Sequence, residues 1–323
     1  MGIAVLNYLD DLAGVERREH AEFAYLTLGK VLKNAGIEEA EKKSSPPSEI
    51  MSFLGVLFNT LSMTMEITPE RLNEIKKLIA LWLNKNMATL KDIQSLLGKL
   101  NFVGACVKPS RIFINRLLNW LRQLHGTNNS ALHVIPEEVK KDLLWWNEFL
   151  PIYNGVSLMN LGPWSDPDEI FSSDACLDGI GGFWNGHYFH SILPSKIIDQ
   201  RLHIGALEML ALMVCLHIWG KNFRRRRIVV LCDNLSACIA INTGKSKCHF
   251  TQSCLREVIF VMAVNEFELR AQHITSSQNR LSDHLSRWHK EERHRIEFEK
   301  LNANLRLEEY QVKESEFEFQ KLW

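Results

Sequence analysis

The sequence lacks several features that would assign it to a class at once. Its 323 residues carry 38 basic and 38 acidic side chains, and this neutral balance alone argues against a strong nucleic-acid binder. No apolar run has transmembrane length and no signal peptide opens the chain, so we expect no membrane partner. The seven cysteines form no Cys-x-x-Cys pair, which is typical of free thiols in a reducing compartment, cytoplasm or nucleus.

The positive charge is nevertheless concentrated in one segment. From Arg71 to Arg122 there are ten lysines and arginines and two acidic residues. From Met1 to Glu70 there are six lysines and arginines and eleven acidic residues. A basic segment on a neutral protein favours a surface that follows phosphates, although a solvated helical face is the alternative. The candidate phosphate-binding residues are Lys76, Lys77, Lys91, Lys99 and Arg111.

The length predicts two or more domains. Strand patterns and a Pro-containing loop occupy residues 1–67, and helical apolar stripes occupy 68–150, including a Thr89–Asp92 capping box. A Gly/Pro-rich linker is predicted at 151–163 and a strand-and-helix domain at 164–288. A charged, helix-prone tail covers 289–323.

Four acidic residues in the C-terminal half carry the clearest chemical signal. Asp174 and Asp233 end or interrupt strand-like apolar runs, whereas Glu208 and Asp283 lie in helix-like runs. A carboxylate at such a position is costly to bury unless it is paired or bound to metal. Acids from several elements can converge on one hard-cation site, so we predict two Mg²⁺ ions, with Mn²⁺ as an alternative.

The motifs around these acids resemble the RNase H family in order. They are "SDAC" with "GIGGFW", "ALEMLAL", "CDNLSACIAIN" and "HITSSQNRLSDHLSR". The resemblance implies an α/β RNase H fold, a mixed five-stranded sheet with helices, at the C-terminal end. It also implies that Asp174, Glu208, Asp233 and Asp283 are catalytic metal ligands. Ser276 and Ser282 depart mildly from the related elements, where glycine and alanine are frequent.

The N-terminal "YLDD" resembles the palm motif of reverse transcriptases. The resemblance implies metal-binding catalytic roles for Asp10 and Asp11 and a nucleic-acid contact for Tyr8. "MSFLGVLFNT" resembles the primer-grip hairpin, and "TLKDIQSLLGKLNFVGACVKPSRIF" resembles the helical thumb and connection. Lys42 or Lys43 is a candidate for protonating pyrophosphate, with a solvated loop lysine as the alternative.

Nearly the whole chain resembles the polymerase–RNase H region of DIRS-type, tyrosine-recombinase retrotransposons. The phrases "FLGVLFNT", "GKLNFVGACV", "DLLWWNEFL" and "FSSDAC" carry this likeness. Polymerases of this class need a further upstream aspartate and fingers, so we expect an N-terminally truncated polymerase that makes no DNA alone. A partner chain would then supply the missing palm and fingers.

The sequence therefore predicts a retroelement RNase H that hydrolyses the RNA strand of RNA–DNA hybrids by two-metal catalysis. Its partners would be the hybrid and primer/template nucleic acid. One alternative is a degenerate or co-opted fragment that binds nucleic acid without catalysis. Another is a transposase-type nuclease of the same fold, which the thumb-like helices and the YLDD motif disfavour.

Overall fold

The computed structural model describes residues 2–40, 44–152, 155–157 and 166–321, without the side chains of residues 108, 109, 111, 156 and 157. Lys42, Lys43 and much of the predicted 151–163 linker lie outside the described residues, as does the Arg111 side chain. The chain forms two compact units, Met1–Asn73 with Asn154–Leu161 and Glu74–Tyr153 with Gly162–Trp323. The five predicted segments remain a prediction.

The first unit combines a hairpin, a helix and a small antiparallel sheet. Its elements are β1 (Val5–Tyr8), β2 (Asp11–Gly14), α1 (Arg18–Asn34), β3 (Ile50–Phe53), β4 (Val56–Asn59), β5 (Thr64–Ile67) and β8 (Val156–Ser157). The order β3-β4-β5-β8 is antiparallel throughout. Gly36 and Gly55 have φ values of 73° and 78°, which glycine adopts at low cost at the end of α1 and in the β3–β4 turn.

The second unit begins with a helical segment. It contains the larger part of α2 (Pro69–Asn84), β6 (Met87–Ala88), α3 (Leu90–Gly104), α4 (Asn115–Gln123), β7 (His133–Val134) and α5 (Glu137–Phe149). The predicted capping box is confirmed, because Thr89 Oγ1 accepts from Asp92 N at 3.2 Å and Asp92 Oδ2 accepts from Thr89 N at 3.1 Å. The apolar stripe of α2 buries Ile75, Ile79 and Trp82, as helical spacing predicts.

The mixed sheet of the second unit is built from the remaining elements. They are β9 (Glu169–Ala175), β10 (Gly179–Trp184), β11 (His187–Ile192), α6 (Ser195–Ile198), α7 (Ile204–Trp219), β12 (Arg227–Cys232), α8 (Leu235–Thr243), α9 (His249–Val264), β13 (Glu268–His273), α10 (Arg280–Ser286), α11 (Glu292–Leu301) and β14 (Glu308–Glu309). β9, β10 and β11 form an antiparallel meander, and β12 and β13 run parallel to β9.

The five long strands have the order β13-β12-β9-β10-β11, with β9 in the middle. This order, with α7 leading from the meander into β12, is the RNase H topology, and the predicted fold class is confirmed. One detail of that prediction is wrong, because β14 adds a short sixth strand from the tail that we expected to be helical. Glu308 N donates to Gly186 O and Tyr310 N to Tyr188 O, which satisfies backbone groups on the exposed edge of β11.

Helix α7 lies against the sheet and forms the centre of its core. Thirteen of its residues are buried, including Glu208. With the 3-10 turn Gly220–Phe223 that follows, it is long and apolar enough to cross a membrane by length and composition, contrary to the expectation that no run has that length. However, 78% of an 18-residue window of that stretch is buried inside the protein, so its apolar surface already packs against the sheet and α9.

A buried ion pair connects the helical segment to the sheet. Asp142 on α5 lies 3.0 Å from Arg116 Nη1 on α4 and 3.3 Å from Arg256 Nη2 on α9. Burial raises the pKa of Asp142 to about 6 despite the two guanidinium groups. The carboxylate is therefore charged above pH 7, where loss of either partner would leave a buried charge uncompensated.

Candidate metal centre

The four acids predicted from sequence lie on four different elements. Asp174 is near the end of the central strand β9, and Glu208 is on the second turn of α7. Asp233 directly follows β12, and Asp283 is on α10. Since β9 and β12 are parallel neighbours, their carboxyl ends meet at one sheet edge, and α7 and α10 bring the other two acids to it.

Asp174 is held by two hydrogen bonds. Asn279 Nδ2 donates to Asp174 Oδ1 at 3.2 Å, and Ser286 Oγ donates to Asp174 Oδ2 at 2.6 Å. Ser286 Oγ also lies 3.0 Å from Asp283 O, so one hydroxyl joins the strand carboxylate to the helix that carries Asp283. The carboxylate plane of Asp174 is thereby fixed from both oxygens.

Burial and mutual repulsion dominate the charge state of the centre. Burial, with the charges of Asp233 and Asp283 nearby, raises the pKa of Asp174 to about 7 in spite of the Ser286 hydrogen bond. Burial, with Asp174 and Asp233, raises the pKa of Glu208 to about 9. Such repulsion among clustered carboxylates is what a bound cation relieves.

Cys232 is part of the centre and was not singled out from the sequence. Its Sγ lies 3.9 Å from Glu208 Oε2, and the ligand atoms of Glu208, Cys232 and Asp233 are all within 4.8 Å of one another. The adjacent Cys238 thiol, burial and the charge of Glu208 all raise the pKa of Cys232, so it remains a neutral thiol. The donor set for a cation is therefore oxygen from carboxylates, which fits Mg²⁺ or Mn²⁺.

The outer acids are held by exposed neighbours. Ser276 Oγ donates to Asp233 Oδ2 at 2.6 Å, and Arg287 Nε lies 2.8 Å from Asp283 Oδ1. The Arg287 and Asp283 side chains are 45% and 31% exposed, so solvent and ligands can reach this pair. His273 Nε2 lies 3.2 Å from Asp233 O, a backbone contact that agrees with a strand-end structural histidine.

A glycine lets α10 come close enough to place Asp283. Gly181 pairs with Asp174 across β9 and β10. A Cβ at Gly181 would lie 2.3 Å from Leu285 Cβ and 2.6 Å from Ser286 N, and both distances are steric clashes. The glycine-rich "GIGGFW" thus permits the contact between β10 and α10, a role that only the packed structure reveals.

The structure brings together the four C-terminal acids, whose catalytic role remains a prediction. Sequence reasoning missed Asn279, Ser286 and Cys232 as members of the centre. Cys232 directly precedes Asp233, and Ser286 is three residues from Asp283, so each could have been found as a neighbour of a predicted ligand.

The N-terminal acids occupy a different environment. Asp10 and Asp11 are exposed at the β1–β2 hairpin, where Tyr8 pairs with Asp11 and is 54% exposed. Within the described parts of the chain, no group of three metal-ligand side chains includes either aspartate. The described structure therefore does not give Asp10 and Asp11 the third ligand that a metal site needs, and their assignment remains a prediction.

Four of the five predicted basic residues lie on α2 and α3, and Arg111 lies in the 3-10 helix Lys108–Phe113. Lys77 and Lys91 are exposed, Lys76 is half-buried, and Lys99 Nζ pairs with Glu74 Oε1. The side chain of Arg111 lies outside the described residues. Lys77 and Lys91 are thus the two candidates whose described positions leave them open to a phosphate.

Several solved structures resemble this chain at low similarity. It is 16% identical to the foamy viral protease-reverse transcriptase in complex with RNA/DNA hybrid, with a TM-score of 0.39, over 83% of this chain and 35% of that chain. A complex of the foamy viral protease-reverse transcriptase with dsDNA gives 18% identity and a TM-score of 0.38, over 83% and 54%. RNase H1 from the halophilic archaeon Halobacterium salinarum NRC-1 is 12% identical, with a TM-score of 0.30. That match covers 36% of this chain and 92% of the RNase H1 chain.

The chain thus spans about a third to a half of the length of the foamy viral proteins. No protein-family model matches the sequence, and no curated protein matches it. At TM-scores of 0.30 to 0.39, these likenesses carry no argument about the fold or the site of this chain. The fold class of this protein rests on the strand order of its own sheet.

Proposed function

We propose that this protein hydrolyses the RNA strand of RNA–DNA hybrids, with Asp174, Glu208, Asp233 and Asp283 as the metal-binding catalytic residues. The observation that carries the proposal is the convergence of these acids, from two strand ends and two helices, on one edge of an RNase H sheet. The elevated pKa values of Asp174 and Glu208 are the electrostatic counterpart of a site that binds cations.

The protein side chains have separable tasks in this reaction. Asn279 and Ser286 orient the Asp174 carboxylate, and Ser276 orients that of Asp233. Two Mg²⁺ ions held by the four acids would activate a water and stabilise the leaving 3′ oxygen. The RNA strand would be distinguished by its 2′-hydroxyl groups.

The basic face of α2 and α3 would hold the phosphates of the hybrid. Lys77 and Lys91 are exposed there, and further contacts are assigned to Lys76, Lys99 and Arg111. The solved foamy viral protein holds an RNA/DNA hybrid, which agrees with this choice of ligand. We assign the chain to a DIRS-type retrotransposon polyprotein on the sequence phrases quoted above, with Asp10 and Asp11 belonging to a polymerase site that needs further residues.

The experiment is Mg²⁺-dependent cleavage of a labelled RNA–DNA hybrid by the purified chain. Asp233→Asn keeps the side-chain shape and removes a charge, so cleavage should fall at least about a hundredfold, a barrier increase near 2.7 kcal/mol. Asp199→Asn is the matched control, since this exposed carboxyl ends α6 and lies outside the centre.

The alternative function makes a different prediction in the same assay. A degenerate retroelement fragment would fold and bind the hybrid without Mg²⁺-dependent cleavage. Wild-type cleavage that persists in Asp233→Asn would instead remove this acid from the reaction. Parallel thermal melting separates both results from loss of folding.

A further inference from the structure

The turn between β9 and β10 carries a second group of metal-ligand side chains, which the proposed cleavage reaction does not use. Cys176, Asp178 and His289 each offer one ligand atom, and these atoms lie within 4.8 Å of one another. The thiol is buried and the imidazole is 20% exposed, whereas the Asp178 carboxyl is 44% exposed and opens the group to solvent. A ligand from solvent would therefore reach the group from the Asp178 side, with the Cys176 thiol innermost.

The Asp178 carboxyl contacts the other two ligand residues of this group. Cys176 Sγ donates to Asp178 Oδ1 at 3.1 Å, and Asp178 Oδ2 lies 3.3 Å from His289 Nε2. That nitrogen is buried, and its contact with the carboxylate lacks the geometry of a hydrogen bond among the described residues. A buried imidazole nitrogen that faces a thiol and a carboxylate without an aligned hydrogen bond is suited to bind a cation shared with them.

Packing holds the imidazole in place. A Cβ at Gly179 would lie 2.5 Å from His289 Cε1, so the ring lies directly on the turn. Cys176 Sγ also lies 3.2 Å from Ser286 O, the residue whose hydroxyl binds Asp174. The three ligand residues are therefore fixed by the same contacts that bring the end of α10 to β9.

The donor set and its spacing fit a borderline transition metal. Thiolate, imidazole and carboxylate are the usual donors to zinc, and their bond lengths of about 2.0–2.3 Å place tetrahedral ligands roughly 3.3–3.8 Å apart. Cys176 Sγ and His289 Nε2 contact the two different oxygens of Asp178 at 3.1 and 3.3 Å, so small side-chain movements would give one oxygen this spacing to both. Mg²⁺ prefers oxygen alone, so this group and the acidic centre should select different ions.

We infer that Cys176, Asp178 and His289 form a site for Zn²⁺ or a similar divalent transition metal, with its fourth position open to solvent. Coordination replaces the thiol proton, which is released to solvent. It also displaces the ammonium group of Lys290, which lies 2.9 Å from Asp178 Oδ1. The bound metal would fasten the chain after α10 to the β9 turn and so support the acidic centre from outside.

The test uses the metal-stripped full chain and Co²⁺ as a spectroscopic probe, followed by competition with Zn²⁺. One equivalent should bind and give a thiolate-to-cobalt charge-transfer band. Cys176→Ser should abolish the band, and His289→Gln should weaken binding at least about tenfold. Cys248→Ser and His284→Gln are matched controls in other parts of the same unit and should keep the band.

Lys290 supplies a variant with the opposite expected effect. Lys290→Gln removes the competing ammonium group, so Co²⁺ should bind more tightly than to the wild type. Absence of the band in folded wild type, its persistence in Cys176→Ser, or unchanged affinity in Lys290→Gln would each overturn the inference. Asp174→Asn should retain the band, which keeps this test independent of hybrid cleavage.

Discussion

Replacing Asp174 by Asn separates catalysis from stability in the acidic centre. An amide at this position can accept from Asn279 with its oxygen and donate to Ser286 Oγ with its nitrogen, and the Ser286 hydroxyl can then turn its single proton to Asp283 O. The hydrogen-bond network is therefore preserved with one reversed bond. The negative charge is lost, and with it one ligand for Mg²⁺.

The size of the stability effect follows from the pKa of Asp174. Burial and neighbouring charges raise that pKa from 3.8 to about 7, so between these values the folded protein binds a proton that the unfolded chain has lost. Stability of the metal-free wild type must then fall as pH rises from about 4 to 7. Between pH 5 and 8 the loss from this group is at most about 3 kcal/mol, since one pKa unit corresponds to about 1.4 kcal/mol.

The asparagine side chain that replaces Asp174 in the variant does not titrate. The variant should therefore lose less stability than the wild type between pH 5 and pH 8. The measurement is urea unfolding of both proteins with a chelator at pH 5 and pH 8, beside hybrid cleavage with Mg²⁺. We expect the free energy of unfolding of the variant to rise relative to that of the wild type from pH 5 to pH 8. We also expect the variant to cleave the hybrid at least about a hundredfold more slowly. Equal pH dependence of the two proteins would refute the electrostatic account, and wild-type cleavage in the variant would refute the catalytic one.

Three further predictions test the surroundings of the centre. Gly181→Ala should push α10 away from β10, destabilise the protein by about 1–3 kcal/mol and reduce hybrid cleavage more than hybrid binding; unchanged melting would contradict the close approach. Lys77→Glu with Lys91→Glu should weaken hybrid binding and reduce its salt dependence by about two phosphate contacts, measured as log Kd against log salt; an unaltered slope would place the phosphate surface elsewhere. Asp142→Asn should reduce the fall in stability between pH 5 and pH 8 that urea unfolding measures, because the raised pKa of this buried carboxyl makes its charged form costly in the folded protein; an equal fall in both proteins would contradict that account.

Local patterns in the chain were sufficient for much of the fold. The Thr89–Asp92 capping box and the α2 stripe depend on neighbours three or four positions apart, so the sequence displays them directly. The five long strands were also predictable, because alternating and continuous apolar runs mark them. The β14 strand was not, since its partner on β11 lies over a hundred residues earlier and only an unpaired sheet edge makes the pairing favourable.

The acids of the candidate centre show the same division. Asp174, Glu208, Asp233 and Asp283 could be selected by residue type and local context, because carboxylates in apolar runs are costly unless paired. Local context could not predict that the four acids share one environment. It also could not predict that Asn279 orients Asp174 or that the Cys232 thiol lies beside Glu208.

The sequence by itself therefore determined the order of strands and helices, the four candidate ligands and the basic segment. Only the tertiary structure decided that α10 lies directly on Gly181, that Ser286 joins Asp174 to α10, and that Cys176, Asp178 and His289 meet. These contacts join residues roughly a hundred positions apart, and they depend on close approach of packed elements. Local propensity and periodicity carry no information about such distances, which arise when the sheet and its helices pack together.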